Sequence, residues 1–322
     1  MLNEQPNQVA EGLKFMMFGK HQAWADHMDD IGIFSDSLIS FKKWLYTDGV
    51  RFAIETGAWR QSEGNVIKEW DHKIVVKGET GWIFALCVQS PDSRGRSDYP
   101  LVIALHVVAD VFPKNIEALW AVLYKFKVVF QECETQDILR EEAKSCYESC
   151  VQAITMISPL DEMGFELSDR RRFITQVQNG GGVESIFHRF NRDLELFSTE
   201  KKVNATRFFR LPTGNEVESL VLYYFELLSS QLKKNHLLGW VESSEGEFAD
   251  LFVGLTDPQQ IVGMKHSCLF APVLSEVKFN IADSEKSHIE TFIKLYSSER
   301  DLNKLSLFTK DGMKKKNRFF YR

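Results

Sequence analysis

Apolar positions recur along the chain with two periods, and the changes of period mark out the elements. From Ser35 the segment SDSLISFKKWLYTDG puts Leu38, Phe41, Trp44 and Leu45 on one helical face. It opens on Ser/Asp capping residues, which predicts a helix closing at Gly49. Two runs rich in β-branched and aromatic residues follow, HKIVVK at 72–77 and WIFALCVQ at 82–89, and the spacer GETG between them predicts a hairpin. A third run, LVIALHVV from Leu101, is apolar almost without interruption, so both faces of that strand must be covered. Helices are therefore expected on both sides of the sheet. Residues 115–133 place Ile116, Leu119, Trp120, Leu123, Phe126 and Phe130 at helical spacing, and 135–157 repeats the pattern until Ser158 and Pro159 stop it.

The second half reads as short helices at 168–178 and 183–197 and a strand RFFRLP at 207–212. A strong helix is expected at 215–234, then a hairpin from HLLGWVES and EFADLFVG, and a short helix in DPQQIVGMK. A strand SEVKFNI and an amphipathic helix at 283–298 complete the pattern. Hairpins outnumber crossovers. The expected fold is α/β of the α+β type: a mixed, antiparallel-dominated central sheet flanked by helices on both faces. The expected organisation is a flexible tail at 1–12, an αβ domain at 13–160, a C-terminal αβ region at 161–309 that continues or follows the first, and a basic tail at 310–322.

Composition narrows the function classes. The chain has 322 residues, enough for one large or two ordinary domains, and 39 basic against 45 acidic residues give a net charge of −6. Non-specific nucleic-acid binding needs a surplus of cations, so specific nucleic acid is not an expected partner. No apolar run approaches the roughly 20 residues that span a bilayer. The polar N-terminus does not read as a secretory signal, and five cysteines, an odd number, suit reduced thiols in a cytoplasmic setting. The tail KDGMKKKNRFFYR carries six cations against Asp311, with Phe319, Phe320 and Tyr321 interleaved, a composition that suits contact with an acidic partner.

Two loops hold the densest chemistry. MMFGKHQAWADHMDDIG gathers Lys20, His21, Asp26, His27, Asp29 and Asp30 beside Trp24. SPDSRGRSDYP gathers Asp92, Arg94, Arg96 and Asp98 around Gly95; arginine is the planar, always charged fork for carboxylate or phosphate, and the glycine permits a sharp turn. The first loop lacks the spacing of a metal signature such as HExxH or an EF-hand, and the second reads as a turn stiffened by Asp92 and Arg96 or as an anion or partner contact. Cys146 and Cys150 fall on an apolar helical stripe and read as core. Gly180, Gly181 and Gly182 lack the following Lys and Ser/Thr of a phosphate-binding loop, and no nucleophile elbow, kinase signature or dinucleotide fingerprint occurs.

Taken together, GKHQAWADH at 19–27 resembles the N-terminal GKxPxxGDF signature of the type VI secretion accessory family called TagF or ImpM, and SPDSRGRSDYPLVIAL at 90–105 resembles that family's SxDxxGRxFPLxxA stretch. Gly19, Lys20 and Asp26 match the first; Ser90, Asp92, Gly95, Arg96, Pro100 and Leu101 match the second. Gln22 stands where a proline is usual, Ala25 where a glycine is, and His27 replaces an aromatic. LLGWVESSEGEFADLFVGLTDPQQ is similar to the family's later tryptophan hairpin, with Thr256 in place of a proline. The resemblance implies a cytoplasmic, non-enzymatic protein that restrains assembly of a type VI secretion apparatus after translation, through a forkhead-associated domain protein.

The expectation is thus a regulator or adaptor, without catalytic residues, metal or cofactor, that binds a protein through loops 19–30 and 90–100. Its binding residues would be Lys20, Trp24, Asp26, His27, Asp92, Arg94 and Arg96, aromatics and arginines being the usual anchors of such surfaces. The alternative is a metal-assisted hydrolase using His21, Asp26, His27 and Asp30, with Arg96 holding an anionic substrate. A third possibility is structural: Asp26 and Arg96 buttress each other across the fold.

Overall fold

The computed structural model describes residues 12–59, 69–77, 80–108, 116–155, 207–212, 237–243, 248–254, 258–265 and 279–296, together with 171, 174, 175, 182, 184–189, 192 and 298. Strands are β1 (Leu13–Gly19), β2 (Ile31–Ile33), β3 (Asp71–Lys77), β4 (Trp82–Val88), β5 (Leu101–Val107), β6 (Arg207–Pro212), β7 (Leu237–Ser243) and β8 (Phe248–Gly254). Helices are α1 (Asp36–Lys42), α2 (Arg51–Glu55), α3 (Ile116–Glu132), α4 (Gln136–Thr155), α5 (Pro258–Met264) and α6 (Asp283–Tyr296), with a π-helical stretch Lys43–Val50 joining α1 to α2. The chain divides into two compact units. The first comprises residues 1–162, 239–245 and 256–270; the second comprises 163–238, 246–255 and 271–322.

In the first unit the strand order is β2-β1-β5-β4-β3, with β7 beside β3. Every pairing of defined register in it is antiparallel, with Phe15 opposite Leu105, Ala85 opposite Ala104 and Ile74 opposite Ala85. Strands β4 and β5 are buried at every position, and the packing on each side explains why. On one face Phe84 meets Trp120 of α3 and Phe15 meets Tyr147 of α4. On the other, Phe18 meets Tyr46 of the π-helical stretch, and His106 Nδ1 is 3.0 Å from the hydroxyl of Ser35. That same hydroxyl accepts from the Leu38 N–H and caps α1. A strand covered on both faces needs apolar residues at odd and even positions alike, which is the unbroken run the sequence carries.

The helix expected to close at Gly49 does not stop there. It runs through the π-helical stretch into α2, because Gly49 is buried where α5 crosses: a Cβ at Gly49 would fall 2.2 Å from Ile261 Cγ1. The glycine is a packing requirement rather than a terminator. Strand β1 has no counterpart among the sequence expectations, although LKFMMFG is nearly as apolar as β5. Helices α3 and α4 fall where the 3.6-residue spacing places them.

In the second unit β6 and β8 pair antiparallel, and Arg210 on β6 grips Asp250 on β8 through two hydrogen bonds of 2.7 and 2.9 Å, both side chains buried. Burial tends to raise the Asp250 carboxyl, and Arg210 opposes that shift. Residues 184–189 are helical, and α6 sits where 283–298 predicted a helix. Of SEVKFNI only Phe279, Asn280 and Ile281 are described, and they are irregular rather than strand. The tails at 1–11 and 310–322, the expected helix at 215–234, Gly180, Gly181, Thr256 and Cys268 lie outside the described residues. Among the described residues no helix is long and apolar enough to cross a membrane.

Candidate functional site

The two ionic loops meet at the ends of β1 and β5. Gly19 closes β1 with φ +125°, and a Cβ there would fall 2.1 Å from the Pro100 carbonyl oxygen, so only glycine lets the strands run this close. Beyond it the first loop folds back on itself: Met28 N–H donates to Gly19 O at 2.9 Å, and Lys20 forms an isolated bridge with His27. The second loop winds around one carboxylate. Asp92 Oδ1 accepts from the backbone N–H groups of Arg94 at 2.9 Å and Arg96 at 3.0 Å, while Gly95 takes φ +78° to complete the turn.

Between the loops Asp92 is the hub. Its Oδ2 receives Lys20 Nζ at 3.2 Å and Arg96 Nε at 2.8 Å. Arg96 then reaches Ala25 O at 3.0 Å and Asp26 Oδ1 at 3.1 Å, and Ser93 N–H donates to Trp24 O at 2.8 Å. Burial alone would raise the Asp92 carboxyl. The donors from Arg96, Lys20 and Arg94 together outweigh it and hold the group well below the usual carboxylate range.

The predicted residues separate into two kinds. Lys20, Trp24 and Asp92 are buried and bind the loops together from inside. Asp26, His27, Arg94 and Arg96 lie outside, with the Asp26 side chain 64% exposed and that of Arg96 42%. Asp26 and Arg96 do pair, as the structural alternative expects, but the pair sits at the surface, where an ion pair contributes little. Behind His27 stands an aromatic wall absent from the sequence expectations: its ring meets the Tyr46 and Tyr99 rings edge-on, 5.5 and 4.8 Å between centroids, and its Nδ1 is 3.0 Å from the Tyr46 hydroxyl. Burial lowers the His27 pKa, Asp26 opposes this, and Lys20, Arg96 and Lys42 add to the lowering. The signal for Tyr99 was its place in SPDSRGRSDYP; nothing in the spacing singled out Tyr46.

The other polar groups of the first loop are committed to anchoring it. His21 Nδ1 accepts the Ala23 N–H at 3.1 Å, which places the proton on Nε2, 2.8 Å from Phe130 O at the end of α3. Gln22 donates to the carbonyls of Gln131 and Cys133. Asp30 is held by Lys42 at 2.6 Å, and Asp29 by Arg140 of α4 at 3.3 Å. The set His21, Asp26, His27 and Asp30 therefore does not converge on one point. Among the described residues no three His, Cys, Asp or Glu side chains are grouped to hold a metal ion. Cys146 and Cys150 are buried side by side on α4, and their mutual hydrogen bond, with burial, pushes the Cys146 thiol far up.

No model of a known protein family matches the chain, and comparison with curated proteins finds no match.

Proposed function

We propose that this chain is a non-enzymatic accessory protein or post-translational regulator of a type VI secretion-like apparatus, working by protein binding through the joined loops 19–30 and 90–100. The observation that carries the reading is the Lys20–Asp92–Arg96–Asp26 chain of contacts. It locks two segments some 70 residues apart into one surface and leaves Asp26, His27, Arg94 and Arg96 outward. Nine residues matched the signatures that resemble the TagF or ImpM family. Among them Gly19, Lys20, Asp26, Asp92, Gly95, Arg96 and Pro100 are the ones that make this junction, so the resemblance falls on one three-dimensional feature. A preformed face of mixed charge beside aromatic rings binds with little ordering cost.

The partner we propose is a protein, by the resemblance a forkhead-associated domain protein of the apparatus, and the setting is cytoplasmic. Arg94 tests this cleanly. Its backbone N–H belongs to the Asp92 turn, and its side chain is exposed. Arg94→Glu should abolish capture of that protein in a pull-down while the denaturation midpoint stays within experimental error of wild type. Equal capture by the variant, or no capture by wild type, defeats the proposal.

A further inference from the structure

The Arg96 guanidinium is fixed by contacts that owe nothing to Asp26. Its Nε donates to the buried Asp92 Oδ2 at 2.8 Å, and its Nη2 donates to Ala25 O at 3.0 Å. Asp92 is held in turn by Lys20 and by the backbone N–H groups of Arg94 and Arg96. The fork therefore keeps its aim with or without an anion in front of it. Asp26 is the anion that stands there, and it is loosely seated. Its Oδ1 lies 3.1 Å from Arg96 Nη2 and 3.9 Å from His27 Nε2, and its side chain is 64% exposed. An exposed pair of this kind is held weakly. Assigning the Tyr46 hydroxyl as donor to His27 Nδ1 at 3.0 Å leaves the ring proton on Nε2, the nitrogen nearer Asp26. Other charges of these loops and of the helices beside them are matched already: Lys20 by Asp92, Lys42 by Asp30 and Arg51 by Glu55.

Resting on the reading of the joined loops as a protein-binding face, we propose that Asp26 is a stand-in ligand: Arg96 and His27 form a subsite for the carboxylate of an aspartate or glutamate side chain of the partner, which displaces Asp26 on binding. The occupant identifies the chemistry, because a carboxylate already sits against the fork. A rigid guanidinium with an imidazole N–H beside it offers directed donors to an incoming carboxylate at little ordering cost. The Tyr99 ring, 4.8 Å from that of His27, gives the methylene stem of that side chain an apolar surface. Asp98, whose charge acts on Tyr99, is a fixed negative charge that favours one carboxylate over a phosphate dianion or a polyanion. Asp26 keeps the fork matched until the partner arrives, and competing with it sets a threshold that weaker ligands fail to pass.

The test is an NMR titration of the full chain, labelled at its arginine and histidine side-chain nitrogens, with an acetylated and amidated glycine-glutamate-glycine tripeptide and its glutamine counterpart. The glutamate peptide should shift the Arg96 Nε and His27 Nε2 signals to saturation, and the glutamine peptide should shift neither. Asp26→Asn removes the competing charge and should tighten binding of the glutamate peptide about fivefold, the upper weight of an exposed pair. A glutamate response no stronger than that of glutamine overturns the subsite. So does binding by Asp26→Asn that is equal to or weaker than that of wild type. Capture of the partner protein separates the two levels. Where wild type captures it, Asp26→Asn should capture it more tightly; equal or weaker capture overturns the subsite and leaves the protein-binding reading standing. Where wild type captures nothing, that reading falls, and the peptide titration still decides whether the subsite exists.

Discussion

Removing the two ends of the buried Lys20–Asp92 pair should have unequal costs, and the inequality follows from what each removal leaves behind. Lys20→Met keeps the aliphatic stem and deletes one charge-assisted hydrogen bond of 3.2 Å. Asp92 still has the Arg94 N–H, the Arg96 N–H and Arg96 Nε. The lost bond, in the range of 1.5–3 kcal/mol for charged groups, is partly offset because no ammonium has to be buried. The net cost should be about 1–2 kcal/mol, or roughly 2–8 °C in melting temperature for a unit of this size. Asp92→Ala leaves the buried Lys20 ammonium without its carboxylate and two turn N–H groups without an acceptor. It should cost clearly more and release both loops to hydrogen exchange. Urea denaturation followed by circular dichroism measures both variants. A Lys20→Met penalty equal to or above that of Asp92→Ala would show that the carboxylate is not the hub.

Three further outcomes follow from single sites. The Asp92 carboxyl is lowered in the folded state, so its stabilisation is complete above the ordinary carboxylate value near pH 4 and is lost as pH falls below it. Asp92→Asn should flatten that acid limb of the stability curve, and an unchanged limb counts against the assignment. Gly49→Ala drives a Cβ into Ile261 and should cost about 1–3 kcal/mol, with Ile261→Ala recovering part of it in a double-mutant cycle; full additivity contradicts the contact. Lys265 has the opposite sign from a paired lysine. With its folded pKa lowered to about 8, the unfolded chain binds the extra proton between about pH 8 and 10.5, so stability contributed by this group rises across that interval. Lys265→Met should remove the rise, as read from denaturation midpoints at each pH.

Much of the layering was legible because burial leaves a periodic trace. β3, β4 and β5 follow directly from apolar, β-branched and aromatic runs and α3 and α4 from the 3.6-residue spacing, and the two-sided apolarity of LVIALHVV announced helices on both faces. β1 has no counterpart in the sequence reading although LKFMMFG, ending on Gly19, carries much the same signal. β2 is only three residues, of which Gly32 and Ile33 are exposed, so no periodicity can reveal it. Gly49 misled for a physical reason: a glycine required by a crossing helix and a glycine that ends a helix look alike in one dimension. At the site, the residue types in the two loops were evident, but their division into buried and exposed members was not. Lys20 and Asp92 look like surface charges in the sequence; only the 72-residue separation closed by the fold turns them into an internal pair.

The central claim is that the joined loops act as one recognition face for a protein partner. Hydrogen–deuterium exchange of the full chain with and without the captured protein tests it most directly. The account predicts that residues 19–30 and 90–100 gain protection together and by similar factors, with Arg94→Glu removing both gains at once. Protection confined to one loop, or appearing only elsewhere on the chain, contradicts it.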